Sequence, residues 1–88
     1  MDFENWLVET RNLTRPDKYS STINTISNDL VSESLISGSI YNISDWVILE
    51  SLMTKYFEIP RFFDKNVTGH NMYSRAFKHY INFRKQGN

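Results

Sequence analysis

Asn71-Met72-Tyr73-Ser74-Arg75-Ala76-Phe77-Lys78-His79-Tyr80-Ile81-Asn82-Phe83-Arg84-Lys85-Gln86 carries two patterns at once. Tyr73, Ala76, Phe77, Tyr80 and Phe83 recur at helical spacing and predict one apolar face. Arg75, Lys78, His79, Asn82 and Lys85 fall on another face, and nearly all of these are cations or hydrogen-bond donors. A helix built this way anchors in a core by its aromatics and offers charge outward to a polyanion.

Upstream of this stretch the same period recurs. Asp2 to Thr10 predicts a first helix with Phe3, Trp6 and Leu7 on one face and early acids suited to a helix N-terminus. Thr14 is a candidate cap for a second helix, Pro16 to Leu35, because proline fits a first helical turn. Tyr19, Ile23, Ile26 and Leu30 form its core stripe. Its other side, with Ser20, Ser21, Asn24, Thr25, Asn28 and Ser32, is small and polar. That face reads either as simply solvated or as a surface of short donors for close approach to phosphates.

Gly38 suits the left-handed residue that closes this helix, and Ile40, Tyr41 and Ile43 predict an extended connector. Ser44 and Asp45 cap a third helix that carries Trp46, Leu49, Met53 and Tyr56 and stops at Pro60. Arg61 to His70 reads as a loop, or one turn and a loop, with Phe62 and Phe63 plugging the core and Gly69 supplying a bend. Asn71 caps the last helix. The class is all-α, with no strand alternation and no repeat.

The chain has 88 residues and no cysteine. A single domain over residues 1–88 is expected, one that buries roughly 60% of its unfolded surface. No disulfide or cysteine-ligated zinc can staple it, so Phe3, Trp6, Tyr41, Trp46, Tyr56, Phe57, Phe62, Phe63, Phe77, Tyr80 and Phe83 are the expected core. No segment has the apolar length of a membrane span, and the N-terminus is acidic rather than signal-like, which predicts a cytoplasmic protein without a membrane partner.

Formal charge is zero but unevenly spread. Up to Glu50, Asp2, Glu4, Glu9, Asp17, Asp29, Glu33, Asp45 and Glu50 face only Arg11, Arg15 and Lys18. Beyond it, Glu58 and Asp64 face Lys55, Arg61, Lys65, Arg75, Lys78, Arg84 and Lys85. Either the basic half meets an anionic partner, or folding interleaves the signs.

Nothing nominates a catalytic centre. His70 and His79 are too few and wrongly spaced for zinc, and the glycines are isolated rather than gathered in a phosphate loop. Pro16-Asp17 starts like a nuclease carboxylate motif, but no Glu-x-Lys follows. No cofactor, metal or enzymatic activity is expected of this chain.

The landmarks Phe3-x-x-Trp6-Leu7, Tyr19-x3-Ile23 with Leu30, Ile40-Tyr41-x-Ile43-x-Asp45, Leu49 and Leu52 are followed by Gly69-x-Asn71-x-Tyr73-Ser74-x-Ala76-Phe77-x-x-Tyr80-x-x-Phe83. In this order the chain resembles a small helical domain at the N-terminus of some bacterial restriction proteins, ahead of nuclease or ATPase modules. It is also similar in layout to the SAM-like core-binding domain of phage integrases (tyrosine recombinases). The resemblance implies a compact, SAM-like orthogonal bundle of four helices, or five with a short turn. It also implies an accessory domain of a larger protein that contacts double-stranded DNA through its second and last helices, with catalysis elsewhere. Integrase domains of this type are clearly basic, whereas this chain is neutral.

The expected DNA contacts are Lys18, Lys65, Arg75, Lys78 and Lys85 to phosphates, Ser21, Thr25 and Asn28 as short donors, and Asn24, Arg75, His79 and Asn82 towards any base edges that are read. The alternative is a protein-interaction or oligomerisation module, or a small phage-type protein that binds a host factor. An exposed patch of aromatics would favour it. An unbroken cationic ridge would favour DNA, and carboxylates matched to that ridge would count against it.

Overall fold

A computed structural model describes residues 2–87. Its elements are helices α1 (Phe3–Arg11), α2 (Pro16–Ser32), α3 (Trp46–Glu58), α4 (Pro60–Thr68) and α5 (Met72–Lys85), with a 3₁₀ turn at Ile40–Asn42 between α2 and α3. There is no strand among the described residues.

The ends of the helices follow from backbone hydrogen bonding. Asp2 caps α1 through the Asn5 amide at 2.8 Å, and Asp45 caps α3 through the Val47 amide at 2.9 Å. Thr14 does not cap α2: Arg15 holds that position without a side-chain bond, and its guanidinium pairs with Asp17 instead. Helix α2 stops at Ser32, three residues short of the expected Leu35. Its exit is a Schellman motif, with Ser34 N–H on Val31 O and Leu35 N–H on Leu30 O. The left-handed residue is Ser34, at φ 58°, rather than Gly38.

Arg61–His70 is not a loop. Pro60 ends α3 and also opens α4, because a missing N–H costs nothing at a helix's first position. Helix α4 ends in a second Schellman motif, with His70 N–H on Val67 O and Asn71 N–H on Asn66 O. His70, at φ 55°, takes the left-handed position, while Gly69 has an ordinary negative φ. The Asn71 side chain makes no cap bond. Buried Asn66 performs that task from the preceding helix, accepting the Ser74 amide at 2.9 Å.

Helix α5 is the hub and packs against α1, α2, α3 and α4. Ala76, Phe77, Tyr80, Ile81 and Phe83 bury its inner face. Phe3 and Trp6 close one end of the core around Tyr80 and Phe83, while Tyr56, Phe62 and Phe77 form the other. The connector after α2 is tied down by polar contacts. Buried Ser27 donates to Ile23 O and accepts the Ile40 amide. Tyr80 Oη donates to Ile40 O at 3.2 Å, and Arg84 reaches Tyr41 O at 2.8 Å. Two expected core residues lie outside: Phe63 is 52% exposed and Trp46 39%.

Candidate interaction surface on α3, α4 and α5

Helix α3 carries more apolar side chains than one core face can take. Leu49, Leu52 and Tyr56 are buried. Trp46, Met53 and Phe57 then fall along a neighbouring stripe at i, i+7 and i+11. Lys85 Nζ sits 4.7 Å from the Trp46 ring centre and 3.6 Å from Glu50, and Tyr56 lies against Phe77. Helices α3 and α5 therefore run antiparallel. Between them lies an open groove of about 590 Å³. Met53, Phe57 and Ile81 form its apolar floor, joined by Phe63 from α4. Glu50 and Glu58 stand on the α3 side, and Lys78, Asn82 and Lys85 on the α5 side.

Of the residues expected to touch DNA, Lys78, Asn82 and Lys85 are thus gathered at one groove. Arg75 lies on the same helix, exposed, donating to His70 O at 3.3 Å. His79 is half-buried, with Tyr19 edge-on at 5.3 Å. The others are dispersed. Lys18, Ser21 and Asn28 are exposed on α2. The Thr25 hydroxyl is engaged by Ser21 O at 3.3 Å. Asn24 lines a separate hollow that also contains Asp2 and Glu4, and Glu4 is itself bonded to Ser20.

Carboxylates from the first fifty residues reach the expected cationic ridge on α5 only at Lys85 and otherwise meet Lys65 and Arg61, while Arg75 and Lys78 stay outside any ion pair among the described residues. Lys65 pairs with Asp29 at 2.8 Å, Arg61 with Glu33 at 3.1 Å and Lys85 with Glu50 at 3.6 Å. Folding has interleaved the two signs at these positions. The groove's apolar floor and α3 rim, Met53, Phe57, Phe63, Ile81, Glu50 and Glu58, are absent from the expected DNA contacts. The signal that points to them is the excess of apolar residues around α3.

Burial holds the His79 imidazole below its ordinary 6.5, and Arg11 and Arg75 add to the effect. As pH falls, the unfolded chain therefore takes up this proton first, and the stability present above pH 6.5 is lost on the way down to the lowered value. His79→Gln removes this linkage. The fall in Tm between about pH 7.5 and pH 5 is expected to be shallower in that variant than in the parent, as read by circular dichroism melts. Equal slopes would exclude the effect.

Among the described residues, no group of three or more His, Cys, Asp or Glu side chains is placed to hold a metal ion, and no helix is long and apolar enough to cross a membrane. Comparison with protein families, with curated proteins and with solved structures finds no match.

Proposed function

We propose that this chain is a non-catalytic helical module that docks a protein partner in the groove between α3 and α5. The observation that carries the reading is Phe63. It is a large aromatic left half in water beside an apolar floor, in a chain that buries most of its other aromatic rings. Aromatic side chains at the edge of a desolvated hollow are typical anchors of protein interfaces. The ion pairs of Arg61 and Lys65 support the same reading, because a cation closely matched by a carboxylate releases few counterions from a nucleic acid.

A second reading draws on Arg75 and Lys78. Neither belongs to an ion pair among the described residues, and both are exposed on α5. That flank suits the duplex-binding accessory role of a SAM-like restriction or integrase domain.

Two titrations separate the readings. In the first, helical peptides selected from a random library on the parent chain are expected to lose binding to a Phe63→Glu variant whose thermal melt is unchanged. In the second, short duplex DNA is expected to bind no tighter than the non-specific range, on the order of 10⁻⁴–10⁻⁶ M. Tight duplex binding that Arg75→Ala with Lys78→Ala abolishes, and Phe63→Glu leaves intact, would replace the first reading with the second.

A further inference from the structure

The rims of the groove differ in sign. Glu50 and Glu58 stand eight residues apart on α3, about 12 Å along the axis, and Lys78 and Lys85 stand seven apart on α5, about 10.5 Å. Both spacings are close to two helical turns. At one end Glu50 and Lys85 face each other at 3.6 Å, a long, solvent-exposed pair of little net strength whose members exchange readily for a partner's charges. The antiparallel course of the helices puts Glu58 and Lys78, neither in an ion pair among the described residues, towards the other. A concave apolar floor calls for a convex apolar ridge, and a helix with anchors at i, i+3 or i+4, and i+7 is the element that supplies one.

Resting on the docking reading above, we infer that the occupant is a single amphipathic helix of a partner protein with two differently charged flanks. One flank carries basic residues two turns apart to face Glu50 and Glu58; the other carries acidic residues at the same spacing to face Lys78 and Lys85. The inference fixes more than affinity. Turning such a helix end for end exchanges its flanks, so only one direction matches both rims. The rims orient the partner, as charge at an interface margin generally sets register and excludes mismatched partners.

The test uses designed helical peptides with a common leucine stripe and four flank patterns: basic and acidic, the same two flanks exchanged, both acidic, and both uncharged. Each carries a nitroxide at its N-terminus and is titrated into the isotope-labelled full chain. The two bipolar peptides are expected to bind roughly tenfold tighter than the all-acidic one at low salt, with the margin shrinking as salt rises. The amide broadening from the nitroxide is expected to appear at the Glu50–Lys85 end for one bipolar peptide and at the Glu58–Lys78 end for its flank-exchanged counterpart. A chain with Glu50→Lys, Glu58→Lys, Lys78→Glu and Lys85→Glu should swap those ends; all four positions are solvent-exposed, so the fold is expected to survive, which a circular dichroism melt checks.

The orienting role is overturned if both bipolar peptides broaden the same end, or if the uncharged peptide binds as tightly as the charged ones. Concentration-dependent dimerisation in sedimentation, blocked by Phe63→Glu, would overturn it differently, by making a second copy the occupant. If no helical peptide of any flank pattern binds, the docking reading itself fails, an outcome distinct from binding without orientation.

Discussion

Tyr80→Ala is expected to cost about 3–5 kcal/mol, the range for deleting a fully buried aromatic. The ring has no exposed surface. It stands edge-on to Phe3 and to Tyr41, each at 5.3 Å. Truncation therefore opens a cavity where α1, α5 and the connector after α2 meet. The phenol adds a second contribution. Its Oη accepts Arg84 Nε at 2.9 Å and donates to Ile40 O at 3.2 Å, so it fastens that connector to α5. Tyr80→Phe isolates this polar share, about 1–2 kcal/mol for hydrogen bonds removed from a buried setting. A domain of this size has a total stability towards the low end of roughly 5–15 kcal/mol. The alanine variant should therefore lose on the order of 20 °C in Tm, while the phenylalanine variant loses much less. Urea unfolding followed by circular dichroism measures both. An alanine cost within about 1 kcal/mol of the phenylalanine cost would show that the ring is not the keystone its packing implies.

Tyr80 is also where the sequence is most legible. Tyr73, Ala76, Phe77, Tyr80 and Phe83 step by three or four along one helical face, with the polar residues between them on the other, and the helix they predict is α5 within a residue at each end. Helix α4 was hidden for a physical reason. Its inward stripe is Phe62 and Asn66, and an asparagine buried to cap the next helix looks like a turn residue in the sequence. Phe62 and Phe63 cannot both face the core, because consecutive helical residues point about 100° apart. Once α4 is a helix, one ring is committed to the interior and the other to solvent. The glycines misled for a related reason. Both Schellman exits place a non-glycine residue, Ser34 or His70, in the left-handed position. The motif is fixed by where the last apolar contacts fall, and the nearest glycine lies one residue early or four late.

The groove and the fate of the cations depend on packing between elements distant in sequence, which no local period encodes. Periodicity brings Lys78, Asn82 and Lys85 to one side of α5. Only the antiparallel seating of α3 supplies Glu50, Glu58 and the apolar floor opposite them. The charge asymmetry of the chain similarly has two outcomes until the helices are placed, and the Arg61–Glu33, Lys65–Asp29 and Lys85–Glu50 pairs decide it locally for interleaving.

Asp29 is the point where that interleaving is expected to matter most for stability. Its Oδ2 accepts from Tyr56 Oη at 2.7 Å and from Lys65 Nζ at 2.8 Å, joining α2, α3 and α4 through one atom. The Tyr56 ring is fully buried and stacked on Phe62 at 4.6 Å. Burial first, and Asp29 next, push its phenol well above the usual tyrosine range, so it remains a protonated donor at any ordinary pH. Asp29→Ala strands that donor in the interior, where an unmet hydrogen bond costs about 1–3 kcal/mol. The share of Lys65 is smaller, because its side chain is 37% exposed and can turn to water. The expected total is about 2–3 kcal/mol. Tyr56→Phe in the Asp29→Ala background removes the stranded hydroxyl while keeping the ring. The double variant should therefore be more stable than the sum of the two single losses predicts, by about 1 kcal/mol or more. Strict additivity in the double-mutant cycle would mean that the two groups act independently, and that the carboxylate stabilises the bundle through Lys65 alone.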